Sequence, residues 1–146
     1  MTAEGDDPMF RKIDDSISVS PQISVEDVRA AADQGFTMII NNRPEQEEPG
    51  QPAGDDIREA ARAAGLAYVA IPIGHGGFSA NQVDAMRDAL ANAGGPVLAF
   101  CRSGTRSTFV WALAKGADGE DPELLARKAA GAGYDISPIK PLLGAR

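Results

Sequence analysis

Short apolar runs alternate with polar, helix-forming stretches along this chain, and that alternation predicts its elements. Phe10 to Ile13 and Ile17 to Val19 alternate weakly around Asp14-Asp15, the pattern of two short strands joined by a turn. Ser24-Val25-Glu26-Asp27 reads as a capping box opening a helix with Val25, Val28 and Ala32 on its inner face, and Gly35 closes it. Phe36 to Ile40 is then continuously apolar, as a central parallel strand is. Asn41 to Gly54 carries three prolines and three glutamates and reads mostly as a solvated loop. Asp55 to Ala64 is a helix stopped by Gly65, and Leu66 to Ile71 a second buried strand ended by Pro72.

A glycine-rich loop follows, Gly74-His75-Gly76-Gly77-Phe78, and Ser79 with Gln82 makes a second capping box. That helix runs to about Ala93 and buries Val83, Met86 and Leu90. Val97 to Phe100 is another buried strand, and Ser107 to about Lys115 a buried helix. Asp121-Pro122 starts one more, with Pro122 at its first position and Leu124, Leu125 and Ala129 inward; Gly131 and Gly133 end it. Ser137 to Leu143 reads as a short turn or helix docked on the core. Strands alternating with helices imply parallel pairing through right-handed crossovers. The expected fold is a single α/β domain, a central and mainly parallel sheet flanked by helices, over residues 10–146, after a disordered tail at 1–9.

Composition narrows the function. At 146 residues the chain fits one domain with a proper core. A net charge of −7 argues against a nucleic-acid partner. No apolar stretch approaches membrane-spanning length, so no membrane partner is expected. One cysteine forms no internal disulfide, which fits a reducing cytoplasm, and one Cys with one His is too few ligands for a structural zinc. No metal or organic cofactor is implied.

In this acidic molecule one spot is locally basic. The strand Val97–Phe100 stops at the lone Cys101; Arg102, Ser103, Gly104, Thr105 and Arg106 form a turn, and a helix follows from Ser107. A strand, a tight loop and a helix N-terminus make an anion cradle of inward N–H groups. A cysteine there is favoured as the thiolate, which is the nucleophile. Gly104 lets the backbone turn, and Ser107 is placed to cap the helix and to hydrogen-bond the sulfur. Arg102 points outward to attract the anion. Arg43, at the end of a strand, is either a further substrate contact or the partner of Glu45 or Glu47, with structural pairing favoured.

The order strand, Cys-x-x-Gly-x-Arg-Ser, helix resembles two thiol-enzyme groups, the rhodanese sulfurtransferases and the dual-specificity phosphatases. Phe10-Arg11-Lys12-Ile13, Ile39-Ile40-Asn41-Asn42-Arg43-Pro44, Tyr68-Val69-Ala70-Ile71-Pro72-Ile73 and Phe100 to Ser107 together resemble the beta-lactamase hydrolase-like protein family, in its phosphatase-like domain. The resemblance implies a dual-specificity-phosphatase-like fold and an activity labelled either phosphatase or sulfur transferase. It also implies partners: a persulfide dioxygenase or a sulfide-oxidising flavoprotein, to which related chains are fused. One histidine cannot build a metallo-β-lactamase site, so that partner is not expected within this sequence.

Loop length favours sulfur. Phosphatases of the resembling type place five residues between Cys and Arg, whereas four separate Cys101 from Arg106, leaving less room for a tetrahedral phosphate. Their general acid, an Asp on the loop after the Ile-Pro strand, has no counterpart among Ile73 to Ser79; only His75 there could donate a proton. The first expectation is therefore a rhodanese-like sulfurtransferase that forms a persulfide on Cys101 and passes the sulfur to a thiol or cyanide. Arg106 and the N–H groups of Arg102 to Ser107 would hold an anionic donor such as thiosulfate or a persulfide. The alternative is a phosphatase using Cys101, Arg106 and His75 on a small or aryl phosphate ester. A third is a non-catalytic anion-binding or sensing module.

Overall fold

The computed structural model describes residues 10–143. The expected tail at 1–9 lies outside the described residues. The strands are β1 (Arg11–Asp14), β2 (Ile17–Ser20), β3 (Met38–Asn41), β4 (Ala67–Ala70) and β5 (Val97–Phe100). They form one sheet in the order β1-β2-β5-β3-β4, with β1 antiparallel to β2 and every other pairing parallel. The helices are α1 (Val25–Asp33), α2 (Gly54–Ala63), α3 (Ala80–Asn92), α4 (Thr105–Ala117) and α5 (Pro122–Gly131), and a 3-10 turn spans Ser137–Leu142.

Period-two alternation splits the core between the two faces of the sheet. Ile39, Leu98 and Phe100 point to one side, where Val28 and Ala31 of α1 and Ile57 and Ala61 of α2 cover them. Met38, Ile40, Val97 and Ala99 point to the other, against Met86 of α3, Val110 and Trp111 of α4, and Leu125 of α5. Both layers are needed because a parallel sheet has no solvated face. Truncating a fully buried Phe100 or Trp111 to alanine would cost about 3–5 kcal/mol.

The capping boxes form as the spacing requires. Ser24 Oγ accepts from Asp27 N (3.1 Å) while Asp27 Oδ2 accepts from Ser24 N (2.9 Å). Ser79 and Gln82 repeat the pattern at 3.1 and 2.8 Å. Each closes a helix end for about 1 kcal/mol.

Four expectations need correction. β4 is not buried: Ala67 and Ala70 are exposed and Tyr68 and Val69 half-buried, because β3 alone pairs with it and it forms the sheet edge. On α1 the fully buried pair is Val28 and Ala31, with Ala32 only half-covered. On α5, Leu124 is exposed while Leu125 and Ala129, four residues apart, share the inward face that the adjacent Leu124 cannot join. α4 begins at Thr105, not Ser107: Gly104, at φ +94°, completes the turn alone and helical dihedrals start at once.

Candidate active site

β5 feeds α4 on one face of the sheet while its neighbour β3 feeds α2 on the other. A crevice at the C-terminal ends of adjacent strands follows from that divergence, and open α/β sheets bind ligands there. Cys101 is the residue that β5 delivers to it. Its N–H donates to Ser20 O (3.4 Å), and Gln22 N donates to Arg102 O (3.2 Å), so β2 and its exit stitch the loop down.

The loop curls back on the sulfur. Gly104 N donates to Cys101 Sγ at 3.1 Å. Ser103 Oγ donates to Thr105 Oγ1 (3.1 Å) and accepts from Thr105 N (3.3 Å), which holds the turn on its outer side. Gly104 is required twice. Its φ is +94°, and an added Cβ would fall against the Tyr134 hydroxyl, closer than any real contact. Tyr134, beyond α5, donates to Ser103 O at 2.9 Å. Burial pushes its phenol pKa up, with Arg11 opposing, so it stays a donor near neutral pH.

Arg106 lies in the first turn of α4 with its guanidinium in a ring of acceptors. Nη1 donates to Glu47 Oε2 (2.7 Å) and Ile73 O (2.6 Å), and Nη2 to Glu47 Oε1 (2.9 Å). These Glu47 bonds raise its pKa first; burial opposes, and the nearby Cys101 sulfur adds to the rise. Arg43 grips the same carboxylate through Nε (2.8 Å), and its other nitrogens donate to Gln22 Oε1 (3.0 Å) and Glu48 Oε1 (2.7 Å). Between two guanidiniums the Glu47 carboxyl is held down at about 2, chiefly by Arg106 and then, against the cost of burial, by Arg43.

Cys101 and Arg106 are thus brought together, and Arg102 projects outward as expected, 65% exposed and 3.6 Å from Glu48. For Arg43 the favoured structural pairing with Glu47 is the one found: its side chain is 2% exposed and each nitrogen has a partner, in Glu47, Gln22 and Glu48, so the substrate-contact alternative falls away. One expectation changes. Ser107 neither caps α4, whose cap is Gly104, nor lends its hydroxyl proton to the sulfur; that proton goes to Asn42 Oδ1 (2.8 Å), whose Nδ2 donates to Ile71 O (2.9 Å). His75 is 88% exposed, with Nε2 3.7 Å from Glu47 Oε2.

Asn41 to Gly54 proves more than a solvated loop. Glu45 accepts from Gly54 N (3.0 Å) and closes α2; Gln51 accepts from Glu47 N (2.8 Å) and donates to Pro44 O (2.8 Å). Glu47 as the partner of Arg106, Asn42 and Tyr134 were missed from sequence. The spacing that pairs Glu47 with Arg43 carries no sign of Arg106, 59 positions away, and nothing local marked Tyr134.

Among the described residues no group of three or more His, Cys, Asp or Glu is placed to hold a metal ion. A cleft of about 400 Å³ lined by Asp15, Leu90, Gly95, Val97 and Lys115 lies at the opposite end of β5 and includes neither Cys101 nor its partners.

A mainly parallel sheet carrying a cysteine–arginine loop between its central strand and a helix defines the class: a phosphatase-like α/β domain. Residues 9–118 match the family described as Beta-lactamase hydrolase-like protein, phosphatase-like domain, and the chain belongs to that family. A Beta-lactamase hydrolase-like protein of Agrobacterium fabrum is 36% identical over 108 residues, 74% of this chain but 25% of the relative. One from Xylella fastidiosa is 37% identical over 107 residues, covering 73% and 25%. The matched segment therefore spans a quarter of those relatives' length. Among solved structures, a Neisseria meningitidis protein provisionally described as a phosphatase superposes with a TM-score of 0.82 at 31% identity, covering 94% of this chain and 99% of that one. Kinase associated phosphatase shares the fold at a TM-score of 0.69 and 15% identity, covering 94% and 95%.

Proposed function

We propose that this domain is a cysteine-dependent phosphatase acting on a small or aryl phosphate ester. The observation that carries it is the Arg106 fork beside Cys101, which already grips one oxyanion, the Glu47 carboxylate, through both terminal nitrogens. A phosphoryl group offers the same fork the same chemistry. The related Neisseria protein, provisionally described as a phosphatase, supports the reading and moves it ahead of sulfur transfer.

In this reading the Cys101 thiolate attacks phosphorus, the bond to the ester oxygen breaks, and a phosphocysteine forms. Arg106 and the loop N–H groups neutralise the equatorial oxygens. Water then attacks the phosphocysteine, releasing inorganic phosphate and restoring the sulfur. His75, on the open loop after β4, hands a proton to the departing oxygen; an aryl oxide leaves without one. Arg102 draws the anion to the mouth.

Sulfur transfer stands second, favoured by the four-residue Cys–Arg spacing and by the lack of a carboxylate from Ile73 to Ser79. One experiment ranks the two. Wild type and Cys101→Ser are assayed with an aryl phosphate, and separately with thiosulfate and cyanide while the intact mass is followed. Cys101-dependent phosphate release is expected. A sulfur-sized mass gain with thiocyanate and no phosphate release would reverse the order. Neither product, with anions still bound, would leave a binding module.

A further inference from the structure

Resting on the site reading above, one observation asks for more. Cys101 is 0% exposed, and both terminal nitrogens of the neighbouring Arg106 are held by Glu47. A nucleophile must approach its target to about 3–3.5 Å, so this arrangement is closed to substrate. We propose that Glu47 is an autoinhibitory residue of the site, a built-in carboxylate ligand of Arg106 that any incoming oxyanion must displace.

Three features make the exchange workable. Glu47 has a second guanidinium: Oε1 accepts from Arg43 Nε at 2.8 Å, so the carboxylate can leave Arg106 and remain paired. Arg43 is itself anchored by Gln22 and Glu48, so it holds its position while Glu47 turns. Arg106 keeps a neutral tether, the 2.6 Å bond from Nη1 to Ile73 O, which aims the fork once the carboxylate has gone. Glu47 is therefore not needed to place Arg106. Its effect is a threshold. The apparent affinity for every anion falls by the fraction of molecules with the fork free, so at a given concentration only an anion that binds the free fork tightly fills the site.

The test measures binding, which needs no turnover and so stands apart from the catalytic reading. Inorganic phosphate and acetate are titrated by calorimetry into wild type and Glu47→Gln, with thermal melts to check the fold. Both anions should bind the variant more tightly, on the order of tenfold, or about 1.4 kcal/mol. Unchanged or weaker binding of phosphate overturns the proposal, since a residue that merely positions Arg106 would show that. Should Glu47→Gln fail to fold, a phosphate-soaked crystal of the wild type decides. Glu47 must then be off Arg106 and still on Arg43; phosphate bound with the Glu47–Arg106 pair intact refutes it. No anion binding by either protein overturns this proposal and the oxyanion-site reading together, whereas phosphate binding without tightening sinks the gate alone.

Discussion

Two loops border the Cys101 turn, and they are built on opposite principles. The one after β3, from Asn42 to Ala53, is knit by its own polar side chains: Arg43, Glu45, Glu47, Glu48 and Gln51 all have partners, and the Arg43 and Glu47 side chains are only 2% and 13% exposed. The one after β4, from Ile71 to Phe78, has three glycines among the four exposed residues Gly74 to Gly77; its ties are Ile73 at one end and the Ser79–Gln82 cap at the other. The first fixes charge in a dry setting, where pairing decides everything. The second leaves a titratable ring, His75, in water. The contrast teaches a division of labour: electrostatic preorganisation belongs in the rigid loop, proton delivery in the open one.

The comparison breaks most readily at Arg43. Arg43→Met leaves Glu47 buried with one guanidinium and strips Glu48 of its hydrogen-bonded partner, so denaturant unfolding should show a loss of about 3–5 kcal/mol. A loss below about 1 kcal/mol would mean the rigid loop is not held by this pair.

Acid attacks the same loop next. The Glu47 carboxyl is depressed from 4.5 to about 2 in the folded protein. As pH falls below 4.5 the unfolded chain takes the proton first, so the contribution is complete above that pH and is lost as pH drops through about 2. The loss is on the order of 3 kcal/mol. Urea melts between pH 6 and pH 2 should show it, and Glu47→Gln should flatten that part of the profile.

Glycine substitutions then sharpen the contrast. An alanine Cβ at Gly54 would collide with the Glu45 carboxylate that caps α2, so Gly54→Ala should cost about 1 kcal/mol. At Gly76 an added Cβ meets nothing within 4 Å and no positive φ stands in the way, so Gly76→Ala should be neutral or stabilising by a few tenths, roughly. Equal losses at both sites would erase the distinction. The smallest structural effect is expected from His75→Ala, within about 0.5 kcal/mol of wild type. Its signature belongs in turnover: slower hydrolysis of an alkyl phosphate than of an aryl one, measured side by side.

The strands and helices were legible because burial imposes periods. Ser24-x-x-Asp27 and Ser79-x-x-Gln82 announced helix starts, and β3 and β5 read as central strands because both faces had to be apolar. Cys101, Gly104 and Arg106 were legible as a unit because a six-residue turn is local chemistry. β4 misled because a sheet edge is a property of strand order, which no segment encodes by itself. Leu124 misled because its helix face depends on where the 3.6-residue phase falls.

Sequence alone determined which cysteine is the candidate, which arginine stands near it, and that both sit where a strand gives way to a helix. These follow from contacts within a few residues, and local sterics decide them. Tertiary structure alone decided that Glu47 fills the Arg106 fork, that Gln22 joins the Arg43 pair, that Ser107 serves Asn42, and that Tyr134 braces the turn from 31 positions away. Partners so distant along the chain meet only once the sheet order is fixed. Which charge neutralises which is then set by geometry in a water-poor crevice, where a few tenths of a nanometre outweigh any pattern in the chain.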